Sequence, residues 1–269
     1  MLSKSSLKYF NFINKLRYSI AKLSLNEKRY FQLILKGIIP RPQYALGLFL
    51  SASLASQIGY KKISVIEFGC WECEGLIDLE HYACEIEKIF KIEIEIYGFE
   101  GGEGLPPPTD YRDRLYQFSE GEMKSSTNIY RDKLKKSKII YGEFEKTIPQ
   151  FIEEKKFAPI ASLFNDADYF SSTKISLEIL NQENILPKIF LYFDDLNFSS
   201  SLTGELGAIN DFNKINKTKI EPIPEFAETL SVYWKKWGFL AKRFYIHHDF
   251  NHNKYNLRYT NPFYKNINN

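Results

Sequence analysis

From Lys62 onward the chain alternates between short runs of β-branched and aromatic residues and longer amphipathic stretches, and this alternation leaves few folds open. Ile63 to Phe68, Ile92 to Phe99, Lys138 to Tyr141, Pro159 to Phe164 and Ile189 to Phe193 have the composition and length of strands. Between them, helical spacing predicts helices from about Gly75 to Phe90, around Tyr130 to Lys136, from Ile148 to Glu154 and from Ser171 to Asn181. Ser171, Ser172 or Thr173 is placed to cap the last of these. Parallel strands need covered faces and right-handed crossovers, so the economical solution is an α/β, doubly wound, mostly parallel sheet. Such sheets bind ligands beyond the carboxyl ends of their strands, which is where functional residues are to be sought.

The 269 residues contain no stretch that reads as a linker, and one structural domain is expected. Residues 1 to 58 form an amino-terminal helical segment packing on the core, and residues 59 to 269 form the α/β domain. Residues 1 to 38 read as one or two amphipathic helices, Ile39-Pro40-Arg41-Pro42 as a break, and a helix resumes through Ser56. The most apolar window, Tyr44 to Ile58, is shorter than the roughly 20 residues that span a bilayer, so it reads as a buried helix and no transmembrane segment is expected. Before Pro42 the only acid is Glu27, against Lys4, Lys8, Lys15, Arg17, Lys22, Lys28, Arg29, Lys36 and Arg41. That segment could offer a basic surface for peripheral contact with an acidic membrane or partner, although a solvated helix face is the preferred reading. The net charge of +3 is too balanced to imply nucleic acid. No secretory signal is evident, so a cytoplasmic location is expected. Cys70, Cys73 and Cys84 do not form a secreted disulfide framework. The tail alternates aromatics and charges through Phe239 to Phe250 and Lys254 to Tyr259, as a closing hairpin does.

Acids gather where the strands end: Glu67, Glu100, the pair Asp166 and Asp168, and the adjacent Asp194 and Asp195. Any one of them reads as a helix cap, a role worth about 1 kcal/mol. Capping does not require two acids close together on each of two strands, however. Carboxylates converging on one sheet edge repel unless a cation, hydrogen bonds or protonation relieves them. Hard oxygen donors suit magnesium, manganese or calcium better than zinc.

Taken in order, Val65-Ile66-Glu67-Phe68-Gly69, Ile96-Tyr97-Gly98-Phe99-Glu100 leading to Glu103-Gly104-Leu105-Pro106, Asp166-Ala167-Asp168-Tyr169-Phe170-Ser171-Ser172-Thr173, and Phe193-Asp194-Asp195 resemble successive motifs of the macrocin O-methyltransferase family. The likeness covers roughly residues 60 to 200. Thr109-Asp110-Tyr111-Arg112-Asp113 and Gly204-Glu205 with Ala208-Ile209 resemble features of a less characterised branch of such proteins. The resemblance implies a seven-stranded Rossmann-like methyltransferase fold and S-adenosylmethionine as cofactor. It assigns Glu67, Gly69 and the turn through Cys70, Trp71 and Gly75 to the methionine portion, Glu100 and Gly101 to the ribose, and Gly142 and Glu143 to the adenine. By the same resemblance Asp166, Asp194 and Asp195 hold a divalent metal such as Mg2+, and Asp168 is the general base acting on a hydroxylated small-molecule acceptor such as a sugar. The chain departs from that pattern in its first turn, where Trp71, Glu72 and Cys73 stand in place of glycines and would crowd or repel the cofactor unless they point outward.

Other signals are weaker. Cys70-Trp71-Glu72-Cys73 has the spacing of a redox dithiol. His247, His248, Asp249 and His252 cluster as a zinc site would, but no matching ligand pair lies nearby, and a solvated hairpin end is the expectation. Arg41, Tyr44, Tyr111 and Arg112 are candidates for contacting substrate. Two alternatives to methyl transfer stand beside it: a metal-dependent glycosyltransferase using Asp166 and Asp168, and a degenerate methyltransferase fold with a binding or assembly role. A homodimer is expected by analogy only.

Overall fold

The computed structural model describes residues 26–113, 117–124, 131–234 and 238–267. Its centre is a seven-stranded sheet of order β3-β2-β1-β4-β5-β7-β6. The strands are β1 (Lys62–Phe68), β2 (Glu93–Glu100), β3 (Lys138–Tyr141), β4 (Ile160–Asn165), β5 (Ile185–Phe193), β6 (Lys219–Pro222) and β7 (Phe244–His248). β1 to β5 are parallel, while β7 runs antiparallel between β5 and β6. β1, β4 and β5 are buried almost throughout, because helices cover both faces.

One face is covered by α1 (Glu27–Leu35), α2 (Pro42–Gln57), α3 (Glu74–Phe90), α7 (Pro224–Tyr233) and α8 (Pro262–Ile267), the other by α4 (Phe144–Glu154), α5 (Phe170–Leu177) and α6 (Gly204–Ile215). α2 is apolar on nearly every side, and a helix apolar all round is one that is buried all round. Tyr44 stacks on Phe164 of β4 with ring centres 4.5 Å apart. Buried Trp234 donates from its indole nitrogen to the Ile34 carbonyl at 3.0 Å and ties α1 to the end of α7. No helix among the described residues is long and apolar enough to cross a membrane.

The structure corrects several sequence expectations. The hairpin partner of β7 is β6, which has only four residues and no clear alternation, while residues 254–259 form turns and coil. Around Lys133 there is only a 3₁₀ turn, Arg131–Lys133, and Tyr130 lies outside the described residues. α5 begins at Phe170 and uses none of its own hydroxyls as a cap; the carboxylate of Asp113, from the long loop after β2, takes the Ser171 amide at 2.7 Å. Of the amphipathic stretch read over residues 1 to 38, Glu27–Leu35 is helical, and residues 1–25 lie outside the described residues.

The chain winds outward from β1 through β2 to β3, then returns to place β4 and β5 on the other side of β1. The topological switch point therefore lies between β1 and β4, where a crevice opens at the carboxyl ends. The turns after these two strands abut. Asp166 donates its amide to the Phe68 carbonyl at 2.9 Å, and Gly69, at φ 78°, sits so close that a Cβ there would lie 1.9 Å from the Asp166 carbonyl oxygen. Gly69→Ala combines a left-handed backbone with a backbone clash, and is expected to cost about 3 kcal/mol or more. Urea denaturation checks this, and a loss below about 1 kcal/mol would mean that the turn relaxes freely.

Candidate active site

At the switch point lies a cavity of about 1030 Å³, bounded by the turns after β1 and β4, the ends of β2, β3 and β5, and the long loop from Gly101. Its volume is at the top of the range of about 300 to 1,000 Å³ usual for ligand sites, enough for a cofactor with a second small molecule.

On the β2 side the key group is Glu100. Its Oε1 accepts from the Gly102 amide at 2.9 Å and its Oε2 from the Trp71 amide at 2.8 Å. The carboxylate is held in one orientation by the backbone, with further acceptor capacity on each oxygen, which is the arrangement a vicinal diol requires. Gly101, Gly142 and Glu143 line the same end. The first turn contributes only Gly69 and Trp71 to the cavity wall. Cys70 and Cys73 are buried and Glu72 is not among the lining residues, so of the three side chains anticipated to crowd the turn only Trp71 reaches the cavity. The backbone is left-handed at Trp71 (φ 40°) and Cys73 (φ 62°), a strain of the kind that concentrates at ligand sites.

The opposite side is a floor of acids. Asp166, Asp168, Asp194 and Asp195 all line the cavity. Their charges are relieved in three ways. Arg243, buried at the entry to β7, forms an ion pair with Asp194 Oδ1 at 2.8 Å, and the Tyr192 hydroxyl donates to the same oxygen at 2.9 Å. Asp168 is hydrogen-bonded to Asp195; burial, that bond and the charges of Asp195 and Asp166 push it far above the carboxylate range, so Asp168 keeps its proton. Asp166 is also pushed well up, by burial and then by Asp194 and Asp195. Asp168 adopts φ 56°, another strained backbone in the site. Beneath the floor Glu205, fully buried on α6, accepts from Asn165 at 3.0 Å through Oε1, while its Oε2 has no hydrogen-bond partner among the described residues.

The donor set is chemically suited to a hard divalent cation, but its arrangement is not. Asp194 is engaged by Arg243 and Tyr192, Asp195 by Asp168, and among the described residues no three acids, histidines or cysteines are grouped to hold a metal. The expectation that Asp166, Asp194 and Asp195 form a metal centre therefore finds no support in this arrangement.

The long loop is latched to the second half of the site. Asp113, fully buried, accepts from the amides of Thr109 and Asp110 at 2.9 Å and from both the amide and hydroxyl of Ser171. Arg112 pairs with Asp110 and with Asp211 of α6, and stacks over Phe170 at 3.6 Å. Arg112 is thus a structural clasp, and Tyr111 projects into solvent, 85% exposed. Neither lines the cavity.

Glu67, Cys70, Gly75, Arg41 and Tyr44 are likewise absent from the cavity wall. Glu67 lies beneath the first turn of α3, where its Oε1 accepts from the Tyr44 hydroxyl at 2.7 Å and a Cβ on Gly75 would come within 2.0 Å. Arg41 pairs with Glu74 and Asp78 of the same helix. These residues brace the turn rather than face the cavity. The redox reading of Cys70 fails on chemistry: burial and the charge of Glu67 raise its thiol well above the ordinary range, the opposite of an activated thiolate. His247 is no solvated hairpin residue. It is fully buried on Phe212 of α6, and burial lowers it to about 3, so it is neutral. His248, facing the other way, bonds Glu221 and Tyr255.

The strand order with an antiparallel β7 is that of the seven-stranded, Rossmann-like S-adenosylmethionine-dependent methyltransferase fold. No protein-family model matches the chain, and no curated protein matches it in sequence. Solved structures similar to it include the calicheamicin methyltransferase CalS11 (16% identity, 80% of this chain and 86% of that one, TM-score 0.46). Others are an O-methyltransferase from Bacillus cereus in complex with SAH (14%, 73% and 82%, 0.38) and TomG from Streptomyces achromogenes in complex with SAM (12%, 68% and 72%, 0.37).

Burial raises Glu67 to about 8 from an ordinary 4.5, so the folded protein keeps a proton that the unfolded chain loses. The folded state binds more protons throughout that window, and this group's stabilising contribution is lost as pH rises through it, by at most about 1.4 kcal/mol per pH unit. Glu67→Gln should flatten the stability profile between about pH 5 and 8, read from urea midpoints at each pH. Parallel profiles for the two proteins would mean that Glu67 is ionised in the fold.

Proposed function

We propose that the protein is an S-adenosylmethionine-dependent O-methyltransferase acting on a hydroxylated small molecule. The observation that carries this reading is Glu100, a carboxylate fixed by two backbone amides at the end of β2 and facing the crevice at the switch point. Glu100 would hold the two ribose hydroxyls, and Gly142 and Glu143 would lie near the base. Trp71, half-exposed, lines the same cavity. The cofactor supplies an electrophilic methyl group on a sulfonium.

On the acid floor, Asp168 is the group placed to take the proton from an acceptor hydroxyl. In the ligand-free protein Asp168 keeps its proton, and it becomes a base when positive charge arrives beside the floor and favours the ionised form. Asp194 Oδ1 is taken by Arg243 and Tyr192, and the reading does not depend on metal assistance.

Calorimetric titration with S-adenosylmethionine and S-adenosylhomocysteine, each with and without magnesium, tests the assignment. Saturable binding is expected, weakened about 100-fold in Glu100→Ala through loss of two charge-assisted hydrogen bonds. Glu100→Gln, which keeps an acceptor, should lie between. Absence of binding by the wild-type protein, or an unchanged affinity in a folded Glu100→Ala, would overturn it. With an acceptor in hand, Asp168→Asn should lower kcat by about 10²-fold or more and leave cofactor affinity unaltered.

A further inference from the structure

Three large apolar side chains stand exposed beside the cavity: Tyr111, Phe198 and Leu202, at 85%, 55% and 69%. Single exposed apolar residues are ordinary, so what matters is where these three sit. Phe198 lines the cavity, at the end of the 3₁₀ turn Leu196–Phe198 that follows Asp195. Thr109 lines it from the long loop, and Tyr111, two residues on, lies within about 7 Å of it along the chain. The two stretches are joined where the Gly204 amide donates to the Arg112 carbonyl at 3.1 Å. Tyr111 precedes one partner in that bond, and Leu202 stands two residues before the other. The three side chains therefore border one ledge, continuous with the cavity wall at both Thr109 and Phe198.

The backbone under this ledge is firmly held, although its apolar side chains stay largely outside the core. Beside Tyr111, Arg112 binds Asp110 through two nitrogens and Asp211 through a third, and buried Asp113 accepts from four donors. Leu202 lies in a turn closed by the bridge between Ser200 and Thr203, and Asn210 of α6 donates to the Ser201 carbonyl at 2.8 Å. Binding groups fixed in advance lose little freedom when a ligand arrives. The chemistry between them is neutral. Residues 196–203 read Leu-Asn-Phe-Ser-Ser-Ser-Leu-Thr, with Asn197, Ser200 and Ser201 exposed, and the charges of Asp110 and Arg112 are spent on each other and on Asp211. Aromatic faces among neutral hydroxyls and an amide suit a pyranose, whose C–H face lies on a ring while its rim hydroxyls exchange hydrogen bonds. A purely apolar partner would strip water from those hydroxyls and replace none of its hydrogen bonds.

We propose that the acceptor is a saccharide of two or more units, with its terminal sugar in the cavity and the next ring lying on Tyr111 at the rim. The inference rests on the methyltransferase reading of the cavity and narrows its acceptor class. It gives the anchored segment Thr109–Asp113 a purpose beyond holding α5 and α6 together: Arg112 and Asp113 fix the backbone from which Tyr111 meets the ligand. Tyr111 is then a specificity residue that selects the length of the acceptor without touching the cofactor.

The test exposes the full chain, with S-adenosylhomocysteine, to immobilised mono-, di- and trisaccharides of glucose, galactose, mannose, rhamnose and N-acetylglucosamine, linked through their reducing ends. The best binder is then titrated in solution by ligand-observed NMR against its own terminal monosaccharide. The longer saccharide should bind at least about fivefold more tightly. Tyr111→Ala should bring it down to the level of the monosaccharide, Tyr111→Phe should keep the preference, and S-adenosylhomocysteine should bind all three proteins alike. Because Tyr111 is almost fully exposed, both variants should fold as the wild type does, which thermal denaturation verifies. Retention of no saccharide, equal binding of long and short forms, or a preference that survives Tyr111→Ala would each overturn the proposal. So would a dimer seen by light scattering and lost in Tyr111→Ala, which would give the ledge to a second copy. The titrations are repeated without S-adenosylhomocysteine. If the cofactor fails to bind while the length preference persists, the cofactor reading falls and the ledge stands; if the cofactor binds and no preference is seen, the ledge falls alone.

Discussion

The contact on which the site depends is the abutment of two backbone turns. Phe68 and Gly69 after β1 press against Asp166 after β4, through an amide to carbonyl bond of 2.9 Å and a gap that admits no Cβ. Because β1 and β4 are neighbours whose onward connections diverge, this contact fixes the distance between the two halves of the crevice. The half over β2 and β3 carries Glu100, Gly101 and Gly142. The half over β4 and β5 carries the acid floor. Bracing comes from below, where Tyr44 and Glu67 occupy the space under the first turn of α3, and from the side, where Asp113 fastens the long loop to the start of α5.

Electrostatics give the two halves different characters. Around Glu100 the negative charge is satisfied by backbone amides, which orient it at little desolvation cost. On the floor the charges are crowded and are eased by Arg243 at Asp194 and by the proton kept on Asp168. The left-handed backbones at Trp71, Cys73 and Asp168 fall in the turns that bound these two regions.

Much of this was legible in the chain itself. The five parallel strands announce themselves as β-branched runs, because strands covered on both faces must be apolar on both faces. The acids at their ends stand out because few other positions in such a fold gather charge. What escaped was whatever depends on distant partners. Arg243 neutralises Asp194 across nearly fifty positions of sequence, and no local pattern marks it. β6 is too short and irregular to read as a strand, so the partner of β7 was sought downstream of it instead. Glu67 and Arg112 were visible as charged residues in suggestive places, but whether a side chain faces a cavity or a neighbouring helix is decided by packing. Glu67 has Tyr44 above the sheet, and Arg112 has Asp110, Asp211 and Phe170. His247 shows the same lesson: adjacent histidines on a strand point to opposite faces, and one of those faces proved to be the core.

The most direct test of the account is a crystal structure of the protein grown with S-adenosylhomocysteine. It predicts the nucleoside in the crevice between the β1 and β4 turns, with both ribose hydroxyls on the carboxylate of Glu100, the base beside Gly142 and Glu143, and the sulfur directed toward Asp168. A ligand bound elsewhere on the protein, or a crevice filled by protein side chains while Glu100 keeps only its backbone partners, would contradict it.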